Sequence, residues 1–152
     1  MYKKVVEKLI NSGLTIATAE SCTGGMIAQL ITAVEGASQC LGLGVVTYSN
    51  QSKIELLGVS SSTIEKYGAV SRQTAMEMSR AIREKARADI GVGVTGIAGP
   101  GGGSVEKPIG LVYISICTTH EHICREMNFV GSREDIRAQT TEKAFELISE
   151  IC

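Results

Sequence analysis

Basic surplus is the first thing this 152-residue sequence lacks: fifteen Lys and Arg stand against sixteen Asp and Glu, for a net charge of −1. Polyanion binding needs the opposite balance, so nucleic acid is not expected as a partner. No apolar run approaches the roughly 20 residues of a membrane span. Met1-Tyr2-Lys3-Lys4 leads into charged amphipathic sequence rather than the apolar segment of a secretory signal. The expectation is a cytoplasmic chain without membrane contact. Five cysteines, at 22, 40, 117, 124 and 152, form no Cys-x-x-Cys pair, and neither of the two histidines lies at metal-ligand spacing from them. A zinc site is therefore not expected, and an odd set of thiols suits a reducing compartment. Cys117 and Cys124 are placed to face each other across a hairpin, with burial as free thiols the default reading. No internal repeat or low-complexity linker breaks the chain, and its length suits one domain over residues 1–152 with a core of its own.

What is present reads as helices alternating with strands. An opening amphipathic helix carries Val5, Val6, Leu9 and Ile10 and ends at Gly13. Leu14 to Thr18 reads as a strand, and Met26, Ile27, Leu30, Ile31 and Val34 recur at helical spacing after it. Leu41 to Thr47 reads as a second strand, followed by a short helix capped by Ser49 or Asn50 and closed by Gly58. Ser62-Thr63-Ile64-Glu65 is a capping-box pattern that opens another short helix, and Ser71 caps a long one with Ala75, Met78, Ile82 and Ala86 as its stripe. Ile90 to Thr95 is a third strand; Ile109 to Thr118 and Ile123 to Val130 pair as a hairpin, and a final helix starts at Ser132 with Asp135 as its capping partner. This order predicts an α/β fold, a three-layer α/β/α sandwich on a mixed sheet.

Chemistry concentrates at three strand ends. Ala19-Glu20-Ser21-Cys22-Thr23-Gly24-Gly25 sets a hydroxyl and two glycines on a strand-to-helix turn, where unpaired helix amides near Thr23 favour an anion or an oxyanion. Ser21 is the candidate nucleophile; the structural alternative is that Ser21 or Thr23 only caps the helix. Tyr48 and Lys53 follow the second strand, and strand ends on one edge of an α/β sheet converge. With no histidine near a strand end, a Ser-Lys pair with tyrosine as proton carrier is the arrangement the sequence offers. Lys53 must then lose its proton readily, which a first-turn position and burial both promote. Thr95, Gly96 and Gly99 lie in a glycine-dense segment that is neither a P-loop nor a dinucleotide fingerprint; it either brings backbone amides against a ligand or is a surface loop. Arg133 and Arg137, one turn apart, either grip a phosphate together or are solvated helix charges.

Assembled, these segments resemble the CinA C-terminal domain family and its stand-alone nicotinamide-nucleotide amidases. The carrying motifs are Thr18-Ala19-Glu20-Ser21-Cys22-Thr23-Gly24-Gly25, Val46-Thr47-Tyr48-Ser49-Asn50 with Lys53, Gly68-Ala69-Val70-Ser71, and Gly96-Ile97-Ala98-Gly99-Pro100 with Lys107-Pro108-Ile109-Gly110. The resemblance implies an α/β/α domain that self-associates and converts nicotinamide mononucleotide to nicotinic acid mononucleotide and ammonia in pyridine-nucleotide recycling, with no metal or cofactor. It implies Ser21 as nucleophile, Tyr48 and Lys53 as activating partners, and substrate contacts at Thr95, Gly96, Gly99 and one of Arg133 and Arg137, to which the turn after Ser21 adds Thr23 and Gly24. The alternative is a non-catalytic pyridine-nucleotide-binding regulatory module of the same family. The companion domain of longer members is absent from this sequence, which favours an autonomous enzyme.

Overall fold

A computed structural model describes residues 1–152. Stripes of apolar residues set the helices, and the inner strands are buried on both faces. The order is α1 (Tyr2–Asn11), β1 (Ile16–Glu20), α2 (Met26–Thr32), a 3₁₀ turn (Ala37–Gln39), β2 (Leu41–Val46), α3 (Asn50–Leu57), α4 (Ser61–Tyr67), α5 (Arg72–Ala86), β3 (Ile90–Gly96), β4 (Leu111–Cys117), β5 (His122–Asn128) and α6 (Arg133–Ile151). The strands form one sheet in the order β2-β1-β3-β4-β5. β1, β2 and β3 run parallel, and β4 and β5 add antiparallel.

Helices α1, α2 and α6 pack on one face around Ile16, Val92, Val94, Val112, Ile114 and Ile116. On the other face α3 and α5 meet Ala17 and Ala19 through Leu57, Met78 and Ile82. The expected three-layer sandwich is present. Its closest approach is made by missing side chains: a Cβ on Gly91 would lie 2.1 Å from the Ser79 carbonyl oxygen, and one on Gly93 2.5 Å from that of Ala75. Helix α5 thus rests on the backbone of β3.

Three local expectations shift. The first strand begins at Ile16, not Leu14, because Thr15 donates its amide and hydroxyl to the Asp89 carboxylate at 2.8 Å each instead of joining a strand. The helix expected from Ser62 opens after Ser60, whose hydroxyl bonds that of Ser62 and caps no amide. Cys117 stands opposite His122 and Cys124 opposite Ser115, so the two cysteines are diagonal neighbours, and all five thiols are free. The reciprocal capping box of Ser132 and Asp135 is as read, and Ser49 forms another with Ser52. No helix is long and apolar enough to cross a membrane.

The crossover from β1 to β2 runs through α2 on one face, and the return from β2 to β3 runs through α5 on the other. The carboxyl ends of β1, β2 and β3 therefore share the edge where connections part to opposite faces, the place where open α/β sheets bind ligands.

Candidate active site

Lys53 lies one turn into α3 and is only 1% exposed, among the largest fully buried side chains in the molecule. Side chains on a helix tilt toward its N-terminus, so the long stem turns back toward the end of β2. There Nζ donates to the carbonyls of Thr47 at 2.7 Å and Tyr48 at 3.4 Å, and meets the Ser21 Oγ at 2.9 Å. No carboxylate pairs with it, since the one ion pair of the structure is Lys143 with Glu146. A buried, unpaired ammonium is costly, and burial lowers the Lys53 pKa from the ordinary 10.5 to about 8. At pH 7 about one molecule in ten then carries the neutral amine, against about one in a few thousand for an exposed lysine. In that form its two N–H bonds satisfy the two carbonyls and its lone pair faces the Ser21 hydroxyl, the geometry a general base needs.

Ser21 is 8% exposed and opens on a cleft of about 250 Å³ lined also by Tyr48, Lys53, Thr95, Gly99 and Arg133. The two ends expected to converge do so. A proton path through the Tyr48 hydroxyl has no counterpart: Tyr48 is 61% exposed, and its OH accepts from Arg133 Nη2 at 2.9 Å while lysine and serine touch directly. Tyr48 reaches Lys53 through its backbone carbonyl instead. Arg133 also donates through Nη1 to the Gly99 carbonyl at 2.8 Å, tying the glycine segment to Tyr48 across the cleft.

The Thr95 hydroxyl lines the cleft but donates to the Ala69 carbonyl at 2.9 Å. Gly96 and Gly99 also line it, while the amides of Ala98, Gly99, Gly101 and Gly102 donate to nothing within the chain. The segment thus places unpaired amides at residues that line the cleft. Thr23 and Gly24, read as substrate contacts, do not line the cleft. Thr23 is fully buried, and a Cβ on Gly24 would lie 3.1 Å from Arg137 Nη2. Arg137 is likewise absent from the cleft lining; it donates to the Cys22 and Thr23 carbonyls. The two guanidinium groups bond to different partners, although both arginines also line a second cavity together with Met26, Glu134 and Ala138.

A family model described as the CinA C-terminal domain matches residues 1–152. The chain belongs to that family. It is 47% identical over 148 residues to a protein of Caldanaerobacter subterraneus subsp. tengcongensis, covering 97% of this chain and 36% of the relative. A relative from Acetivibrio thermocellus is 51% identical over 140 residues, covering 92% and 34%. Both carry the name competence-damage inducible protein, and this chain spans about a third of their length. Among solved structures, the competence/damage inducible protein CihA of Agrobacterium tumefaciens superposes with a TM-score of 0.93 at 41% identity, covering 98% of this chain and 94% of that one. A CinA superfamily protein of Escherichia coli gives 0.94 at 32% identity, covering 100% and 91%.

In this CinA domain the helix after Ser21 starts later than expected. Gly25, with φ +99°, precedes its first residue, and neither Ser21 nor Thr23 caps it. The cap is Glu20, a residue the sequence reading passed over. Its buried carboxylate accepts from the Ile27 and Ala28 amides at 3.0 and 3.1 Å, so these first-turn donors are not free for an anion. No short-range pattern marks this contact, because the carboxylate sits on a strand and the amides belong to the next helix. Cys22, next to the nucleophile candidate, has its thiol pushed up to about 12, chiefly by burial, and so is not a thiolate at neutral pH.

Proposed function

We propose that this chain is an amidohydrolase that converts nicotinamide mononucleotide to nicotinic acid mononucleotide and ammonia, with Ser21 as nucleophile and Lys53 as its base. The observation that carries the reading is the 2.9 Å contact between a buried lysine with no carboxylate partner and a serine hydroxyl at an open cleft. Neutral Lys53 takes the Ser21 proton as Oγ bonds to the carboxamide carbon, and the carbonyl electron pair moves onto oxygen. Collapse of that adduct breaks the carbon–nitrogen bond; nitrogen keeps the electron pair, takes the proton from the Lys53 ammonium and leaves as ammonia. Water then attacks the Ser21 ester, passes a proton to Lys53, and the returning serine oxygen takes it back as the acid departs.

The substrate assignment leans on the family resemblance and on two features of the cleft. The substrate's pyridinium ring withdraws electrons from the carboxamide, which suits a nucleophile activated by an amine alone. Arg133, the other cation lining the cleft, and the free amides of the glycine segment supply donors for a 5′-phosphate. The test is ammonia release from nicotinamide mononucleotide by the purified chain, with Ser21→Ala alongside. Turnover that vanishes in the variant supports the reading. A chain that binds the mononucleotide without releasing ammonia is the nucleotide-binding module instead, and turnover surviving in Ser21→Ala overturns the Ser21 mechanism.

A further inference from the structure

No carboxylate lines the cleft beside Ser21. Its two charged lining residues, Lys53 and Arg133, are both basic, and no acidic side chain faces them. The carbonyls of Tyr48, Ala69 and Gly99 that border it already accept bonds from Lys53, Thr95 and Arg133. A ligand that brings a positive ring into this cleft therefore finds no anion to pair with, and charge alone repels it. One lining group does offer a negative surface to a cation: the ring of Tyr48, the only aromatic side chain of the cleft. The face of an aromatic ring carries the negative part of its quadrupole and attracts a cation held over it.

Tyr48 is held at both ends. Its backbone carbonyl accepts from Lys53 Nζ, the atom that meets Ser21 Oγ, and its hydroxyl accepts from Arg133 Nη2 at 2.9 Å. The side chain thus spans the gap between the serine and the arginine. It is 61% exposed, more than any other aromatic side chain of the molecule, so these bonds hold the ring out at the cleft instead of letting it fold into the core. No cation or second ring of the chain covers it, since the one cation–π contact joins Lys66 to Tyr67 and the one aromatic pair joins Tyr2 to Phe145. We propose that the Tyr48 ring is the platform for the substrate's pyridinium and selects a cationic ring over a neutral one of the same shape. The inference deepens the amidase reading and rests on its substrate: a carboxamide at Ser21 and a phosphate at Arg133 leave the charged ring between them, beside the tyrosine. Selection at this point also serves the chemistry, because the positive ring is what makes the carboxamide electrophilic.

The experiment measures dissociation constants for nicotinamide mononucleotide and for its reduced form, whose dihydropyridine ring is neutral while carboxamide, ribose and phosphate are unchanged. Both are titrated into Ser21→Ala, alone and combined with Tyr48→Phe or Tyr48→Leu, so that binding is read without turnover. With tyrosine in place the cationic form should bind more tightly by about 5- to 30-fold, the range of a cation–π contact that is partly to fully desolvated. Tyr48→Phe keeps the ring face and should hold that ratio within about twofold. Tyr48→Leu should bring it to one or below, because the cations of the cleft then act unopposed. A leucine variant that weakens both ligands by the same factor makes Tyr48 a mere wall of the cleft and overturns the proposal. So does a phenylalanine variant that falls as far as leucine, which assigns the effect to the hydroxyl and Arg133. A chain that binds neither form sinks the substrate reading and the platform together. Ammonia release by wild type, combined with one ratio for tyrosine and leucine, sinks the platform alone.

Discussion

Two serines in this molecule touch a titratable nitrogen, and only one of them has the surroundings of a reactive group. Ser21 lies 2.9 Å from Lys53 Nζ, and Ser79 lies 3.0 Å from His122 Nε2. By residue type the second pair is the more familiar nucleophile and base. Yet Ser79 is fully buried on α5, and its hydroxyl is already engaged by the Met76 carbonyl and the Ser115 hydroxyl. His122 turns its other nitrogen to Arg80, and burial together with that arginine lowers its pKa. Ser21 instead opens on a cleft and faces an amine with few competing acceptors. The contrast teaches that a base beside a hydroxyl becomes a site only where there is access and where free donors remain for the charge that develops.

The sharpest way to break this comparison is to remove each hydroxyl in turn. Ser21→Ala should reduce ammonia release by at least about a thousandfold. Ser79→Ala should leave turnover within a few-fold and instead lower the stability measured by denaturant by about 1 kcal/mol, the usual worth of a neutral hydrogen bond. Loss of turnover in a well-folded Ser79→Ala would erase the distinction. Next in size is the base: Lys53→Arg should be as inactive as Lys53→Met, because a guanidinium keeps the charge but does not accept a proton at these pH values. An arginine variant with most of its activity would reduce Lys53 to a source of positive charge.

The same lysine links chemistry to stability. Its folded pKa is depressed, so between about pH 8 and pH 10.5 the unfolded chain binds more protons than the folded one. Stability therefore rises with pH across that window. Relative to Lys53→Met, wild type should gain about 3 kcal/mol from pH 8 to pH 10.5, at 1.36 kcal/mol per unit. Parallel stability curves would mean that Lys53 titrates normally. Turnover should rise with pH and level off above about pH 8 for the same reason.

Smaller again is the phosphate. The riboside should be poorer than the mononucleotide by roughly 1.5 to 3 kcal/mol in kcat/KM, and Arg133→Ala should abolish most of that preference. A preference indifferent to Arg133 moves the phosphate to the amides of the glycine segment. The smallest effect belongs to the other pair. The depressed His122 pKa means that its contribution is lost as pH falls below its ordinary 6.5, so His122→Gln should flatten the acid side of the stability curve while leaving turnover alone.

Much of this was legible because local rules coincide with the fold. The capping box at Ser132, the cap at Ser49 and the alternation of helix and strand all follow from short-range chemistry, and the convergence of strand ends brings Ser21 to Lys53 across 32 residues. What escaped depends on long side chains choosing partners through space. Nothing local tells that Glu20 reaches over the turn to cap α2, that the Tyr48 hydroxyl turns to Arg133, or that Arg137 grips carbonyls 114 and 115 residues away. The late start of α2 has the same origin, since its first amides answer to a strand residue.

The contact between α5 and β3 has a bearing on how substitutions would read in a saturation scan of this gene. Because Gly91 and Gly93 have no room for even a methyl group, every amino-acid replacement there displaces the helix that carries Met78 and Ile82. These two positions would score as intolerant as Ser21 while lining no part of the cleft. A map of intolerance alone would therefore draw two hot regions, one at the cleft and one under α5. Abundance measured beside activity would part them, since the glycine variants should disappear from both scores and those at Ser21 from one.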